Sequence, residues 1–383
     1  MVKRILSLLC LLALAAGCAG CGVGQPSAPT TTASIPAPTT APAPKGHVRY
    51  VNPNPALQEA WETIAVEYTK KTGVQVTVLA AEEAKGITPT LFTVDDETQL
   101  AAVSDICVDL AGVNATHHMQ DWSLALYEGN KMCGLPLETE GYGLIYNDSL
   151  LRKVGITAAD ITSFAKLTEV VNNIAGNTSL KFEPFACVDM NSAAISLLGT
   201  IPGDIRPFWD LYTANTACQN ITSDDDGPTE EIAEGKAVFC IGSTKEFEMY
   251  AIMFEGNLNI MPLYIGGENE ARQGLCLRVE NYLCVRSDVD PLDIQATLDF
   301  LDYLTHPEED RVPIDRLEIF TPYSTAKYYA SPLEKTLRDQ ISTGRKLLAF
   351  SQISEPEGLA DALIAYTADP TDENWAAVAE ILG

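Results

Sequence analysis

Serine–lysine pairs, adjacent histidines and ten cysteines are the residues of this 383-residue chain whose types could support covalent or metal chemistry. Ser163-Phe164-Ala165-Lys166 and Ser324-Thr325-Ala326-Lys327 have the spacing at which a lysine activates a serine for acyl transfer, and Lys71-Thr72-Gly73 matches a further element of such enzymes. The order argues against that chemistry: Lys-Thr-Gly precedes both serines and falls where a glycine should simply end a helix. Gly-x-Ser-x-Gly, His-Glu-x-x-His and a phosphate-cradling glycine loop do not occur in the sequence, so no enzyme is expected. His117 and His118 are adjacent, a spacing that seldom lets two imidazoles face one ion, and His47 and His306 are far off in sequence. No Cys-x-x-Cys pair follows residue 46; neither a metal nor a cofactor is expected.

The cysteines stand at 10, 18, 21, 107, 133, 187, 218, 240, 276 and 284. In an exported protein they can oxidise. Bridges Cys107–Cys133 and Cys218–Cys240 are expected, because each pair links neighbouring predicted elements, and either would contribute about 3 kcal/mol in the chain-entropy model. Buried free thiols are the competing reading.

The elements that must position any site begin with His47–Val51, which alternates as a strand, followed by a Pro-led helix over 55–72 with Leu57, Trp61, Ile64, Ala65 and Tyr68 at helical spacing. Gly73 closes the helix and 74–79 is a second strand, so the opening is β-α-β with parallel strands. A third strand, 88–94, runs into Asp95-Asp96-Glu97. Ligands of open parallel sheets gather at the carboxyl ends of strands, which makes Asn54 and Asp95 binding candidates. A helix is expected over 98–104. Residues 132–148 read as strand, turn and strand, and helices follow at 148–154 and 162–175. Phe208, Trp209 and Tyr212 mark a helical segment at 205–216. The run at 230–243 is a short helix, Gly235 and a strand; 257–267 and 274–287 are strands, the second able to double back at Val279-Glu280. Helices close the chain at 291–305, 331–342, 356–366 and 372–382. Alternating strands and helices, with no fixed repeat, make the fold class α/β.

Ahead of this body, Lys3 and Arg4 precede an apolar run from Ile5 to Ala16 and the small pair Ala16-Gly17. That is a signal peptide over 1–17, too short for the roughly 20 residues a membrane-spanning helix needs. Leu14-Ala15-Ala16-Gly17-Cys18 resembles the lipobox of bacterial lipoproteins, with Ala15 where Leu is usual, and this resemblance implies a diacylglyceryl group on Cys18, with two acyl chains for stable anchoring. Residues 18–46, dense in Pro and Thr, form an extended linker. With 25 Lys+Arg against 52 Asp+Glu the net charge is −27, a sign that repels phosphate backbones. Nucleic acid is excluded as a partner, and the membrane is expected to be met through the lipid alone.

Asn130–Ile156, reading NKMCGLPLETEGYGLIYNDSLLRKVGI, together with YTKKTGVQVTV at 68–78, EEIAEGKAVFCIGS at 230–243 and ENYLCVRSDVDPLDIQATLDFLDYLTHPE at 280–308, resembles in order and spacing the extracellular solute-binding proteins of ABC importers, the sugar-type family that includes maltose-binding protein. The resemblance implies a two-lobe periplasmic-binding-protein-like fold with the ligand in a cleft between lobes. Lobe 1 would be 47–139 plus 275–320 and lobe 2 140–274 plus 321–383, with crossings near Glu138–Gly141, Leu263–Gly274 and Thr321. It further implies a monomer on the outer face of the bacterial cell membrane, capturing a small solute for permease subunits. A carbohydrate is the first choice and a polyamine or other small cation the second; a sensor or adhesin of the same fold is the non-transport alternative. Sugar chemistry needs aromatic faces for C–H surfaces and carboxylates or amides for hydroxyls. Glu138, Glu140, Tyr142, Trp209, Glu280, Asn281 and Tyr323 therefore join Asn54 and Asp95 as candidates. Trp209 reads equally as core, while Trp61 and Tyr68 sit on an apolar helix face and are core. Many sugar-type members carry a Trp just after the Ile241-Gly242 equivalent; Lys245 and Phe247 stand there instead, a departure from the conventional oligosaccharide cleft, and an amine ligand would suit acidic cleft residues with aromatics through cation–π contact.

Overall fold

The computed structural model describes residues 45–383 except 191–192, 217–227, 255–256, 267–273, 308–310, 344–346 and 351–355. The expected signal peptide, Cys18 and nearly all of the linker lie outside the described residues, as does Cys218.

Strand β1 (His47–Asn52) alternates half-buried and buried side chains, the period-2 pattern of a strand with one face on a core. Pro55 opens a single 3-10 turn that leads into α1 (Gln58–Thr72). That helix buries Trp61, Ile64, Ala65 and Tyr68 and ends on Gly73 at φ 72°, a left-handed conformation that glycine adopts without strain. β2 (Gln75–Ala80) then lies parallel to β1, and β3 (Leu91–Val94) lies on the other side of β1. There follow α2 (Glu97–Ala101), β4 (Leu126–Glu128), β5 (Lys131–Asn147), α3 (Asp148–Lys153), α4 (Phe164–Ala175), β6 (Glu183–Phe185), α5 (Ala193–Thr200) and α6 (Arg206–Thr213). Next come α7 (Pro228–Ala233), β7 (Ala237–Ser243), α8 (Glu248–Met253), β8 (Leu258–Met261), β9 (Leu275–Val285) and α9 (Pro291–Thr305). The chain ends with α10 (Pro332–Ser342), β10 (Leu347–Phe350), α11 (Leu359–Ala368) and α12 (Asp372–Leu382).

One sheet joins these strands in the order β2-β1-β3-β9-β5-β7-β6, with β10 on β9 and with β4 and β8 on β5. β5 and β9 are its two long members, antiparallel from Leu135 opposite Leu283 to Tyr142 opposite Cys276. Both correct the sequence reading, which put a turn inside 132–148 and allowed one at Val279-Glu280. The polar, glycine-containing centre of β5 continues as strand because Glu140 faces Arg278 and Glu138 faces Asn281 of β9, with the register slipping by one residue at Glu138. Gly141 is there for close approach: a Cβ would collide with Leu337 of α10, and one on Gly143 would meet the Met261 carbonyl of β8.

Apolar side chains gather in three clusters. Trp61, Tyr68, Leu137, Leu283, Phe300 and Tyr323 belong to one. Tyr142, Phe208, Trp209, Tyr212, Phe239 and Trp375 belong to a second. A third, with Cys107, Cys133, Phe247, Leu277 and Leu337, includes residues from both halves of β5 and β9.

The expected disulfides are not formed. Cys107, Cys133 and Cys240 are free thiols, while Cys187 is disulfide-bonded. Neighbouring elements do not suffice for a bridge: Cys240 sits mid-strand opposite Ile145 and turns its thiol to the Ile241 carbonyl at 3.3 Å. Cys107 likewise donates to the Val103 carbonyl at 3.3 Å.

Candidate functional site

Midway along β5 and β9 the side-chain alternation places Glu138, Glu140 and Tyr142 on one face. The register sets Glu140 opposite Arg278, Pro136 opposite Tyr282 and Tyr142 opposite Cys276, so Arg278 and Glu280 share that face. Glu138 itself is drawn one residue out of register, to Asn281. Such a local irregularity re-aims side chains at a functional position. The carboxyl end of β7 supplies the opposite wall: Thr244 exchanges backbone and hydroxyl hydrogen bonds with Gly141, at 2.8 and 3.1 Å. Lys245 then reaches back to Glu138 at 2.8 Å.

The cluster holds more carboxylates than cations. Glu140 accepts from the Tyr142 hydroxyl at 2.8 Å, and Arg278 lies 3.5 Å from Glu280 without a hydrogen bond between those two atoms. Burial works against the charge of Lys245, but the hydrogen bond and charge of Glu138, aided by Glu280 and Glu140, hold its pKa above the ordinary lysine value. Burial raises Glu280, with Lys245 and Arg278 opposing and Glu140 adding to the rise. Burial also lifts Glu246 from 4.5 to about 7, and Asp189 and Glu140 push the same way. Three buried polar atoms here have no hydrogen-bond partner, Glu246 Oε2, Glu280 Oε1 and Arg278 Nε, and Asn281 Oδ1, next along β9, has none either. Unmatched groups of this kind each cost about 1–3 kcal/mol unless something arrives to pair them.

Next along β9, a cavity of about 320 Å³ is lined by Glu97, Ser123, Tyr127, Tyr282 and Phe350 with Ala125, Leu126 and Ala349. It offers aromatic rings beside a carboxylate, within the size range of small-molecule sites.

The other expected residues are placed differently. Asn54 caps the 3-10 turn through Ala56 N at 3.1 Å, and Asp95 is tied to Gln99 at 2.7 Å. Both are exposed loop residues held by local hydrogen bonds. Trp209 is fully buried in the second apolar cluster, with its indole N–H donating to Thr367 at 3.0 Å. Tyr323 is buried in the first, its hydroxyl on the Pro136 carbonyl at 2.8 Å. Neither ring has a free face, so both are corrected from cleft to core. Tyr142 is 2% exposed and offers its buried hydroxyl to Glu140 rather than an open stacking surface. Phe247 is core as well. Among the described residues no group of three His, Cys, Asp or Glu side chains is placed to hold a metal ion, and no helix is long and apolar enough to cross a membrane.

Residues 58–312 match the family model of the bacterial extracellular solute-binding protein. The chain belongs to that family. Solved solute-binding proteins share its fold at low identity. The bacterial solute receptor AcbH superposes with a TM-score of 0.68 at 13% identity, over 88% of this chain and 96% of that one. Apo RafE from Streptococcus pneumoniae gives 0.65 at 14% identity, over 89% and 97%. A family 1 extracellular solute-binding protein from Bifidobacterium longum subsp. infantis gives 0.64 at 14%, over 88% and 98%. No curated protein matches the sequence. The fold of this solute-binding protein is thus α/β with two lobes, as the sequence implied. The sequence reading missed Arg278, Glu246, Tyr127, Tyr282 and Phe350. One signal was present: Arg278 and Glu280 alternate within a strand that is apolar apart from Asn281, which marks a polar face.

Proposed function

We propose that this solute-binding protein captures a carbohydrate at the β5–β9 crossing and delivers it to the permease of an ABC importer. The observation that carries the reading is the mixed character of the buried atoms without a hydrogen-bond partner: the acceptors Glu246 Oε2 and Glu280 Oε1 stand with one donor, Arg278 Nε. A sugar hydroxyl both donates and accepts and so serves acceptors and donor alike. An ammonium only donates and leaves the guanidinium unmet. The neighbours' ligands agree with this choice. AcbH is described as preferring β-D-galactopyranose, a RafE structure with a TM-score of 0.53 holds raffinose, and a further neighbour from Arthrobacter globiformis binds cyclic α-maltosyl-1,6-maltose. The excess of carboxylates over Lys245 and Arg278 favours the second reading, a polyamine.

Lobe 1 comprises 47–139 with 275–320 and lobe 2 comprises 140–274 with 321–383; the first and second apolar clusters support that division apart from Cys276, Tyr323 and Ala326. Tyr323 and Ala326 pack with the first cluster, which favours a last crossing just beyond them. The receptor works as a monomer, held by lipid on Cys18 to the outer face of the membrane. Replacing Cys18 by Ser tests the anchor: the variant should leave the membrane fraction for the medium, and retention on the membrane would contradict it. Ligand identity is tested by titrating the mature chain with galactosides, oligosaccharides and spermidine, followed by calorimetry. Heat from a sugar that is lost in Glu280→Gln supports the assignment; heat from spermidine alone overturns it.

A further inference from the structure

Three thiols meet beside the crossing strands, and the solute-binding function uses none of them. Cys107 forms an isolated antiparallel bridge with Arg286, which puts Cys284 two residues along and on the same side of β9. Val108 N on the Val285 carbonyl at 2.8 Å and Ser287 N on the Ile106 carbonyl at 2.7 Å clamp this alignment. Cys284 Sγ also stands 3.4 Å from where a Cβ on Gly134 would be, next to Cys133. All three cysteines are buried in one apolar cluster and all three are free. The thiols of Cys284 and Cys133 lie close enough to the Cys107 sulfur to favour its thiolate. Those thiols, Cys284 foremost, with the nearby Lys131 ammonium bring Cys107 below the ordinary thiol pKa against the effect of burial, whereas Cys284 is raised.

We propose that Cys107 and Cys284 form an oxidisable pair, in which Cys107 is the thiol attacked first by peroxide and Cys284 the thiol that resolves it. The acidified sulfur is the nucleophile, and its neighbour supplies the proton. The Cys107 thiolate attacks one oxygen of hydrogen peroxide; the O–O bond breaks and hydroxide leaves to become water. Attack by the Cys284 sulfur on the resulting sulfenic acid forms the S–S bond and releases a second water. Overall, two thiols and one peroxide give one disulfide and two waters. Peroxide suits this buried cluster because it is small. The product would fasten the 104–107 segment to β9, four residues from Glu280.

The test treats the mature chain with a few equivalents of hydrogen peroxide, blocks remaining thiols under denaturing conditions and maps peptides by mass spectrometry. The expected result is the loss of two free thiols per chain and a cross-linked peptide pair carrying Cys107 and Cys284. Cys107→Ser should abolish the cross-link, and Cys133→Ser should leave it. Peroxide that leaves all three thiols reduced, over-oxidises Cys107 without a cross-link, or joins any other pair overturns the proposal. Because the mapping is done on the unmutated chain, poor folding of a variant does not blur the outcome.

Discussion

Glu246 couples the site to pH. Its carboxyl is raised in the folded state from 4.5 to about 7, so between those values the folded chain holds a proton that the unfolded chain has released. The stability that Glu246 contributes is therefore fully present below about 4.5 and is lost as pH rises through 7. Glu246→Gln removes this loss: its Tm should match the parent near pH 4.5 and exceed it at pH 8, as followed by thermal melts across that range. A ligand hydroxyl donating to Glu246 Oε2 favours the ionised form, so binding at pH 7 should release a fraction of a proton, seen as a buffer-dependent calorimetric enthalpy. Glu280→Gln keeps shape and removes charge, and should weaken binding roughly tenfold, in line with one charge-assisted hydrogen bond. Trp209→Ala should behave oppositely, destabilising the fold by about 3–5 kcal/mol as a core ring replaced by a cavity; a well-folded variant that merely binds less would return Trp209 to the cleft. At this scale the sequence marked carboxylates more clearly than it marked the burial of rings. Glu138, Glu140 and Glu280 stood out as charges within apolar runs. Trp209 and Tyr323 carry nothing local that tells a buried ring from a stacking one, since that depends on which strands and helices close over it.

Among the elements, the opening β1-α1-β2 unit and the closing helices α9 and α12 were legible because capping, periodicity and a terminal glycine agree over many residues. β5 and β9 were misjudged in the same way. A polar segment with glycines looks like a turn when its partner is unknown, yet here the backbone of β5 pairs along β9 and Gly141 and Gly143 each make room for a neighbour. Gly143 gives the sharper test, because its added Cβ would meet the Met261 carbonyl, which is backbone and cannot rotate away. Gly143→Ala should lower stability by about 2 kcal/mol or more by denaturant unfolding. Gly141→Ala should lower it less, since the Leu337 side chain that blocks it can move. Equal effects would show that neither glycine is held by close approach. The short strands β4, β6 and β10 went unread for a simpler reason: three or four residues are too few for a period to register.

For the whole molecule, a ligand gripped by both lobes must favour the closed form by the contacts it gains there. Scattering from the mature chain should therefore show a smaller radius of gyration with ligand than without. The charge of −27 also predicts that capture of a neutral sugar is nearly insensitive to salt, whereas capture of a polycation weakens steeply as salt screens the field. The most direct test of carbohydrate capture at the crossing is a thermal-shift screen of the mature chain and its Glu280→Gln variant against neutral mono- and oligosaccharides and polyamines. At 100 times Kd a true ligand should add about 2.7 kcal/mol of stability. The account predicts a rise in Tm with one class of sugar, lost or much reduced in the variant. A rise with spermidine and none with any sugar would contradict it.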